Sequence, residues 1–284
     1  MFEYCVDPKT LEGWVWLSCY LTTAKHAEFY YSIFTVVGLL LVAVPPIMAF
    51  GFAGALAKRS AIAPVRWLGT TYITMVRGIP DIVFFLFVPI ALDQGIEYLR
   101  HKVLCPAHEG SVWVGNDFVV CDIAKAPLST ADQWIHDVYG FTLAVIAYAI
   151  VFGAFAANII DGAMRAVPKG QLEAGNAIGM TPRQILLRIH LPQMWVFALP
   201  GLSNLWMILI KATPLLFLLG VEDIVYWAKE LGGMKTQAYA YAHPDWRVWY
   251  FAVLLIFYLA LTWISQIGFD RLSARVSRGM AVAR

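Results

Sequence analysis

The chain has 284 residues, 60% of them hydrophobic and only 14% charged, with mean hydropathy +0.65. A soluble domain of this length needs far more charge to cover its surface, and eleven Trp with thirteen Tyr supply aromatics of the kind that gather at membrane interfaces. A net charge of +2 gives no reason to expect a nucleic-acid partner. The composition describes an all-α integral membrane protein.

Residues 1–27 form an N-terminal segment. Within it LEGWVWLSCYLTT is apolar but too short to span, and Lys25 and His26 follow, so it reads as an interfacial helix. The uncharged run Phe29–Ala57 opens a transmembrane domain covering 28–277. Its Pro45-Pro46 pair predicts a kink or break, because proline removes a backbone donor and clashes with the preceding turn. The second span, about Trp67–Leu92, is interrupted by Arg77 and Asp81, whose i,i+4 spacing predicts an ion pair on one helix face. A long connection, 93–139, reads as a small ordered cap. Val138–Ile160, Leu191–Ile210 and Val248–Phe269 complete five spans, each near the ~20 residues needed to cross ~30 Å of hydrocarbon. Residues 278–284 are a tail.

Five spans put the termini on opposite sides. The connections 58–77, 162–192 and 269–284 hold twelve Lys/Arg, against eight in the longer set 1–27, 93–139 and 221–247. The denser set is assigned to the cytoplasm, with the N-terminus outside and the C-terminus inside. The first residues lack a signal-peptide pattern, so span one is expected to act as its own insertion signal. Cys5, Cys19, Cys105 and Cys121 all fall on the outer side, where an oxidising exterior permits disulfides. Cys105 and Cys121 are the expected pair, Cys5 and Cys19 are the alternative partners, and four free thiols remain open. No His/Cys spacing suggests a metal site.

The connection 162–192 is unlike its surroundings. In PKGQLEAGNAIGMTPRQILLRIHLP, Pro168–Pro192, the residues Gln171–Ile178 predict a short helix closed by Gly179 on a left-handed residue. Thr181-Pro182-Arg183-Gln184 predicts a second helix with a capping box, and Leu191-Pro192 is expected to redirect the chain into span four. Ala174, Gly175, Ala177 and Gly179 leave the first helix almost without bulk, which suits close docking in a groove of a cytoplasmic partner. A helix lying on the membrane surface is the plainer alternative.

Ionisable and amide groups inside spans cost free energy and invite a functional reading. Asp81, Asn158, Asn204 and Lys211 are the candidates for a substrate pathway. For each a structural role competes: Asp81 neutralising Arg77, Asn158 and Asn204 joining helices, and Lys211 snorkelling from the outer end of span four.

Glu173-Ala174-Gly175, Gly179 and Ile189-His190-Leu191-Pro192 resemble the "EAA loop" of ABC importer permeases, with Gly175 where a second Ala is common. Val167–Gln171, Leu191–Gln193, Arg77-Gly78-Ile79-Pro80 and Leu209–Thr213 resemble the polar amino acid and opine branch of that family. Asn158 and Asp161 depart from it, standing where an acidic residue and an Arg are usual; Asp81 and Pro214 depart as well. The resemblance implies a five-span permease of the type I importer kind that carries polar amino acids or opines. It also implies a cytoplasmic ABC ATPase dimer, a second permease subunit, identical or paralogous, and an external substrate-binding protein. It makes the first short helix a coupling helix, with Gly170, Glu173, Ala174, Gly175 and Gly179 at the ATPase contact. The chain holds no GxxxxGK[ST] loop; ATP and Mg are expected on the partner ATPase, and this chain is a transport subunit with no cofactor of its own. An ion-coupled secondary transporter or channel is the alternative, although such proteins often show internal repeats and none is visible here.

Overall fold

A computed structural model describes residues 5, 7–106, 112–128, 130–215 and 221–278. Apart from Arg278, the expected tail lies outside the described residues. Ten α-helices and one two-residue-stranded hairpin are described, and the structure is accordingly all but wholly helical. Five helical stretches are long and apolar enough to cross a membrane: Ala24–Lys58, Asp81–Leu104, Gln133–Ala166, Pro182–Leu215 and Arg247–Val276. The chain divides into two compact units, one drawn from residues 1–41, 206–217 and 222–281, the other mainly from residues 42–205.

In the first unit, helix α1 (Gly13–Leu21) precedes α2 (Ala24–Lys58). At nine residues α1 is too short to span, and the Cys5–Cys19 disulfide ties the segment before it onto its last turn. Tyr20 is the anchor: its hydroxyl donates to Leu231 O at 3.1 Å and lies 2.9 Å from His243 Nε2. Trp16, Tyr241 and Trp246 pack around its ring, and His26 Nε2 meets Tyr250 Oη at 2.6 Å. Helix α9 (Ile224–Gly232) carries Glu230, which takes Lys25 and Lys235 at 3.0 Å each; helix α10 (Arg247–Val276) follows it.

In the second unit, α5 (Gln133–Ala166) is the most buried of the apolar helices. A Cβ built on Gly51 would stand 2.8 Å from Ala156 Cβ, and one on Gly54 would stand 2.9 Å from Ala157 Cβ. The backbones of α2 and α5 therefore touch where neither carries bulk, the way membrane helices associate when lipid gives no hydrophobic drive between them. Phe85, Tyr148 and Phe152 fill the packing between α5 and α4 (Asp81–Leu104).

Several boundaries differ from expectation. Helix α2 runs unbroken through Pro45-Pro46, so of the expected kink or break the break is absent; the prolines remove the usual donors to the carbonyls of Leu41 and Val42. The second span is not Trp67–Leu92. Helix α3 (Ala63–Gly78) stops, Ile79 is extended with φ −112° and ψ 143°, and α4 starts anew at Asp81. The residue before a proline is driven out of the helical region, which is why Arg77 and Asp81 sit on different helices. No ion pair joins them among the described residues. Nor does Leu191-Pro192 redirect the chain. Helix α7 (Pro182–Ile185) passes through one π-turn, Leu186–His190, into α8 (Leu191–Ala212). The wider turn absorbs the donor that Pro192 lacks.

Because α4 runs to Leu104 and α5 starts at Gln133, the long connection shrinks to residues 105–132. Its described residues gather around the Cys105–Cys121 disulfide. Strands β1 (Trp113–Val114) and β2 (Asp117–Phe118) pair antiparallel across Gly115, whose φ of 65° suits the turn. Arg100 donates to Ala124 O and Ile123 O at 3.0 Å each, and Glu97 accepts from Ala126 N at 3.1 Å. The cysteines thus pair as Cys105–Cys121 and Cys5–Cys19, and none of the four is free.

Closing the Cys105–Cys121 loop is worth about 3 kcal/mol in the chain-entropy view. Peptide mapping without reductant should recover both pairs, and the double change Cys105→Ala with Cys121→Ala should lower the melting temperature. Free thiols in oxidised protein would contradict the pairing. Asp223 supplies a second expectation. It caps α9, its Oδ1 accepting from Tyr226 N at 2.9 Å, but it is fully buried and its Oδ2 has no hydrogen-bond partner among the described residues. Burial pushes its carboxyl up to about 6 from 3.8. The folded chain holds this proton more tightly than the unfolded one, so the contribution to stability is full below about pH 3.8 and is lost as pH rises through about 6. Asp223→Asn keeps the capping oxygen and removes the ionisation. Its melting temperature should overtake the wild type's between about pH 4 and pH 7, by up to about 3 kcal/mol of stability. A difference that stays flat across that range would refute this account of the carboxyl.

Candidate functional site

The polar loop between α5 and α8 folds as two short helices. Helix α6 (Lys169–Ala177) follows Pro168, which stands at its N-cap. Gly179 has φ 78°, the left-handed value that strains any residue with a Cβ. Met180 N donates to Gly175 O and Gly179 N to Asn176 O, both at 3.0 Å, the paired closure of a Schellman motif. Thr181 and Gln184 then form the reciprocal capping box that starts α7.

Gly175 does not serve the purpose its smallness suggests in sequence. It is buried, and a Cβ there would meet Ile189 Cδ1 at 2.9 Å and Ile185 Cγ1 at 3.1 Å. The missing side chain lets α6 lie against the turn that enters α8, so it holds the loop together internally. Gly170, Glu173, Ala174 and Gly179 are exposed. The largest apolar group they surround is one the sequence did not single out: Ile178, 79% exposed at the loop's tip. An isoleucine left in water beside a helix end is the signal that marks it.

The loop is clamped to the membrane-spanning part beneath it. His190 Nε2 donates to Met164 O, the last turn of α5, at 2.9 Å. Val167 is buried in a cluster with Ala163, Met164, Met194 and Ala198, and Leu172 of α6 and Leu191 of α8 pack onto it. The partner of His190 is a backbone carbonyl 26 residues away, beyond the reach of a local pattern.

A second feature was legible only as an oddity. Asp161, read as a departure from the family pattern, is 1% exposed and collects cations from two helices. Lys58 Nζ approaches Oδ2 at 2.8 Å, Arg59 Nη1 approaches Oδ1 at 3.7 Å, and Arg165, one turn on, pairs with the same carboxylate. A buried carboxylate with several donors is satisfied rather than unpaired.

The candidate pathway residues lie on three helices. Asp81 and Asn158 are half-buried on α4 and α5, whereas Asn204 and Lys211 are exposed on α8. Neither asparagine makes a side-chain hydrogen bond with another described residue. Among the described residues the one grouping with metal-ligand reach is His101 with Cys105 and Cys121. Both thiols there are consumed in the disulfide, and His101 Nδ1 accepts from Cys121 N at 3.1 Å.

Residues 47–278 match the family described as binding-protein-dependent transport system inner membrane component. The arginine ABC transporter permease protein ArtQ of Escherichia coli is 31% identical over 242 residues, which cover 85% of this chain and 92% of that one. The histidine/lysine/arginine/ornithine transport system permease protein HisQ of Salmonella typhimurium is 31% identical over 80% of this chain and 84% of its own. The nopaline transport system permease protein NocQ of Agrobacterium fabrum is 29% identical over 81% and 83%. The fold is shared with a solved amino acid ABC transporter crystallised with histidines, at TM-score 0.58 and 20% identity over 95% of this chain and all of that one. Taken with five helices long enough to span and a clamped two-helix loop, these matches show that the chain belongs to the binding-protein-dependent transport system inner membrane component family and is a membrane permease subunit of an ABC importer.

Proposed function

We propose that this permease imports polar amino acids or opines, handed over by an external binding protein and driven by a cytoplasmic ABC ATPase dimer that binds the ATP and Mg. The names of its relatives, which cover arginine, histidine, lysine, ornithine and nopaline, support that substrate range. A second permease subunit, identical or paralogous, completes the pathway. Asn204 and Lys211, exposed on a single chain, suit a pathway finished by that subunit, with Asp81 and Asn158 contributing from this one. The chain sits in the inner membrane with its N-terminus outside and its C-terminus in the cytoplasm, a direction supported by the density of Lys and Arg around the two-helix loop.

The observation that carries the coupling role is the combination of an exposed tip with a rigid base. Glu173, Ala174 and Gly170 on α6 and Ile178 at its C-cap are exposed, while Val167, Leu172 and His190 fix the helix to α5 and α8. A push on the tip by a closing ATPase therefore moves spans rather than deforming the loop. Ile178 is the apolar anchor, Glu173 the charged contact, and Gly179 the turn that presents them; Gly175 acts from inside.

In the complex reconstituted with ATPase and loaded binding protein, Ile178→Asp should weaken ATPase association by about 2 kcal/mol, the scale of an interface anchor. Glu173→Lys and Gly179→Val should depress substrate-stimulated ATP hydrolysis and transport, while all three variants still insert in the membrane. Wild-type association, stimulation and transport in all three would reduce the loop to a surface helix. Transport of a polar amino acid or opine by the wild-type complex, absent when the binding protein is omitted, checks the substrate reading separately.

A further inference from the structure

The cations gathered at Asp161 outnumber what that carboxylate needs. The corner between α2 and α3 is tight, a Cβ on Gly69 standing 2.6 Å from Lys58 N. That closeness sets the first turns of α3 beside the end of α2. The result is an open pocket of about 470 Å³ lined by Lys58, Arg59, Arg66, Thr70, Asp161 and Arg165. Four cationic side chains share it with one carboxylate.

Asp161 is occupied by Lys58, Arg59 and Arg165. Arg66 has no carboxylate among the described residues; its Nη1 donates to Ser60 O at 3.1 Å. The side chains of Arg59 and Arg165 are 38% and 62% exposed, so both keep donors facing the pocket. Guanidinium groups with spare planar donors match phosphate oxygens in geometry as well as charge. The buried carboxylate holds three like charges together that would otherwise spread apart.

The surroundings of the pocket are apolar and uncovered. Ile62, Trp67 and Leu68 flank Arg66 at 62%, 66% and 60% exposure, next to the end of an apolar helix long enough to span. Basic side chains bordered by exposed Trp and aliphatic groups at a span's end are the chemistry of the headgroup layer, with the cations at phosphate depth and the apolar groups among acyl chains. We infer that the Lys58–Arg59–Arg66–Arg165 pocket binds a phosphate-bearing anion, supplied by an anionic lipid headgroup or by free phosphate. Asp161 acts there as the organiser that positions the cations without touching the ligand.

The full chain, purified in neutral detergent, can be titrated with phosphatidylglycerol, phosphatidylcholine and inorganic phosphate while binding and melting temperature are followed. Phosphatidylglycerol should bind and raise the melting temperature, and added salt should weaken it. The double change Arg59→Gln with Arg66→Gln should lower its affinity about tenfold or more. The charge-retaining Arg59→Lys with Arg66→Lys should keep the preference for anionic lipid, which separates lost binding from lost folding. Inorganic phosphate that binds as tightly as phosphatidylglycerol, and is lost in the same Gln variant, supports the phosphate site and assigns it to the soluble anion. Equal affinity for phosphatidylcholine and phosphatidylglycerol, or unchanged phosphatidylglycerol binding in the Gln variant, overturns the inference. So does a Gln variant whose only defect is in ATPase association, since the cluster would then face a protein.

Discussion

Contact between two helix backbones underlies the second unit. Gly51 and Gly54 of α2 meet Ala156 and Ala157 of α5 so closely that an added methyl on either glycine would overlap its neighbour. In lipid, helices gain nothing from hiding apolar surface from one another, so association depends on how closely they can approach. The same approach puts Lys58 and Arg59, at the end of α2, within reach of Asp161 on α5. It also sets the last turn of α5, from Ala163 to Val167, into the cluster that receives the polar loop. A bulky residue at Gly54 would therefore disturb an ion cluster and a loop base that it does not touch.

The loop shows how a small segment is made both presentable and stiff. Local chemistry closes it: a left-handed glycine at one helix end and a capping box at the start of the next. Tertiary contacts then remove its freedom through His190, Val167, Leu172 and Gly175. Two kinds of glycine occur four residues apart with opposite duties. Gly179 is needed for its backbone angle and sits in the open, whereas Gly175 is needed for its missing side chain and is buried.

The connecting segments are secured in different ways. The segment ahead of α2 is held by a disulfide and by an aromatic and histidine network centred on Tyr20, and the 105–132 connection by a second disulfide with Arg100 and Glu97 reaching its backbone. Covalent staples suit short segments that bury little apolar surface of their own. The loop between α5 and α8 has no such staple among the described residues and relies on packing into the helix ends.

What the sequence determined by itself was everything set by local backbone chemistry and by the length of apolar runs. Five spans, the short helix before the first, the Gly179 turn and the Thr181 capping box all follow from residues within one or two turns of each other. Boundaries at prolines were misplaced in both directions: the chain broke at Ile79-Pro80, where one span was expected, and continued through a widened turn at Leu191-Pro192, where a redirection was expected. Only the tertiary structure decided the roles that depend on partners far along the chain. Asp161 looked like a departure from a pattern until Lys58 and Arg59, over a hundred residues earlier, came within salt-bridge distance. Gly175 looked open to a partner until Ile185 and Ile189 were seen to fill the space above it. Ile178 was an unremarked aliphatic until its exposure was known. The physical reason is common to all three: a residue's type states what contacts it can make, while burial and proximity, which decide the contacts it does make, are properties of the folded chain.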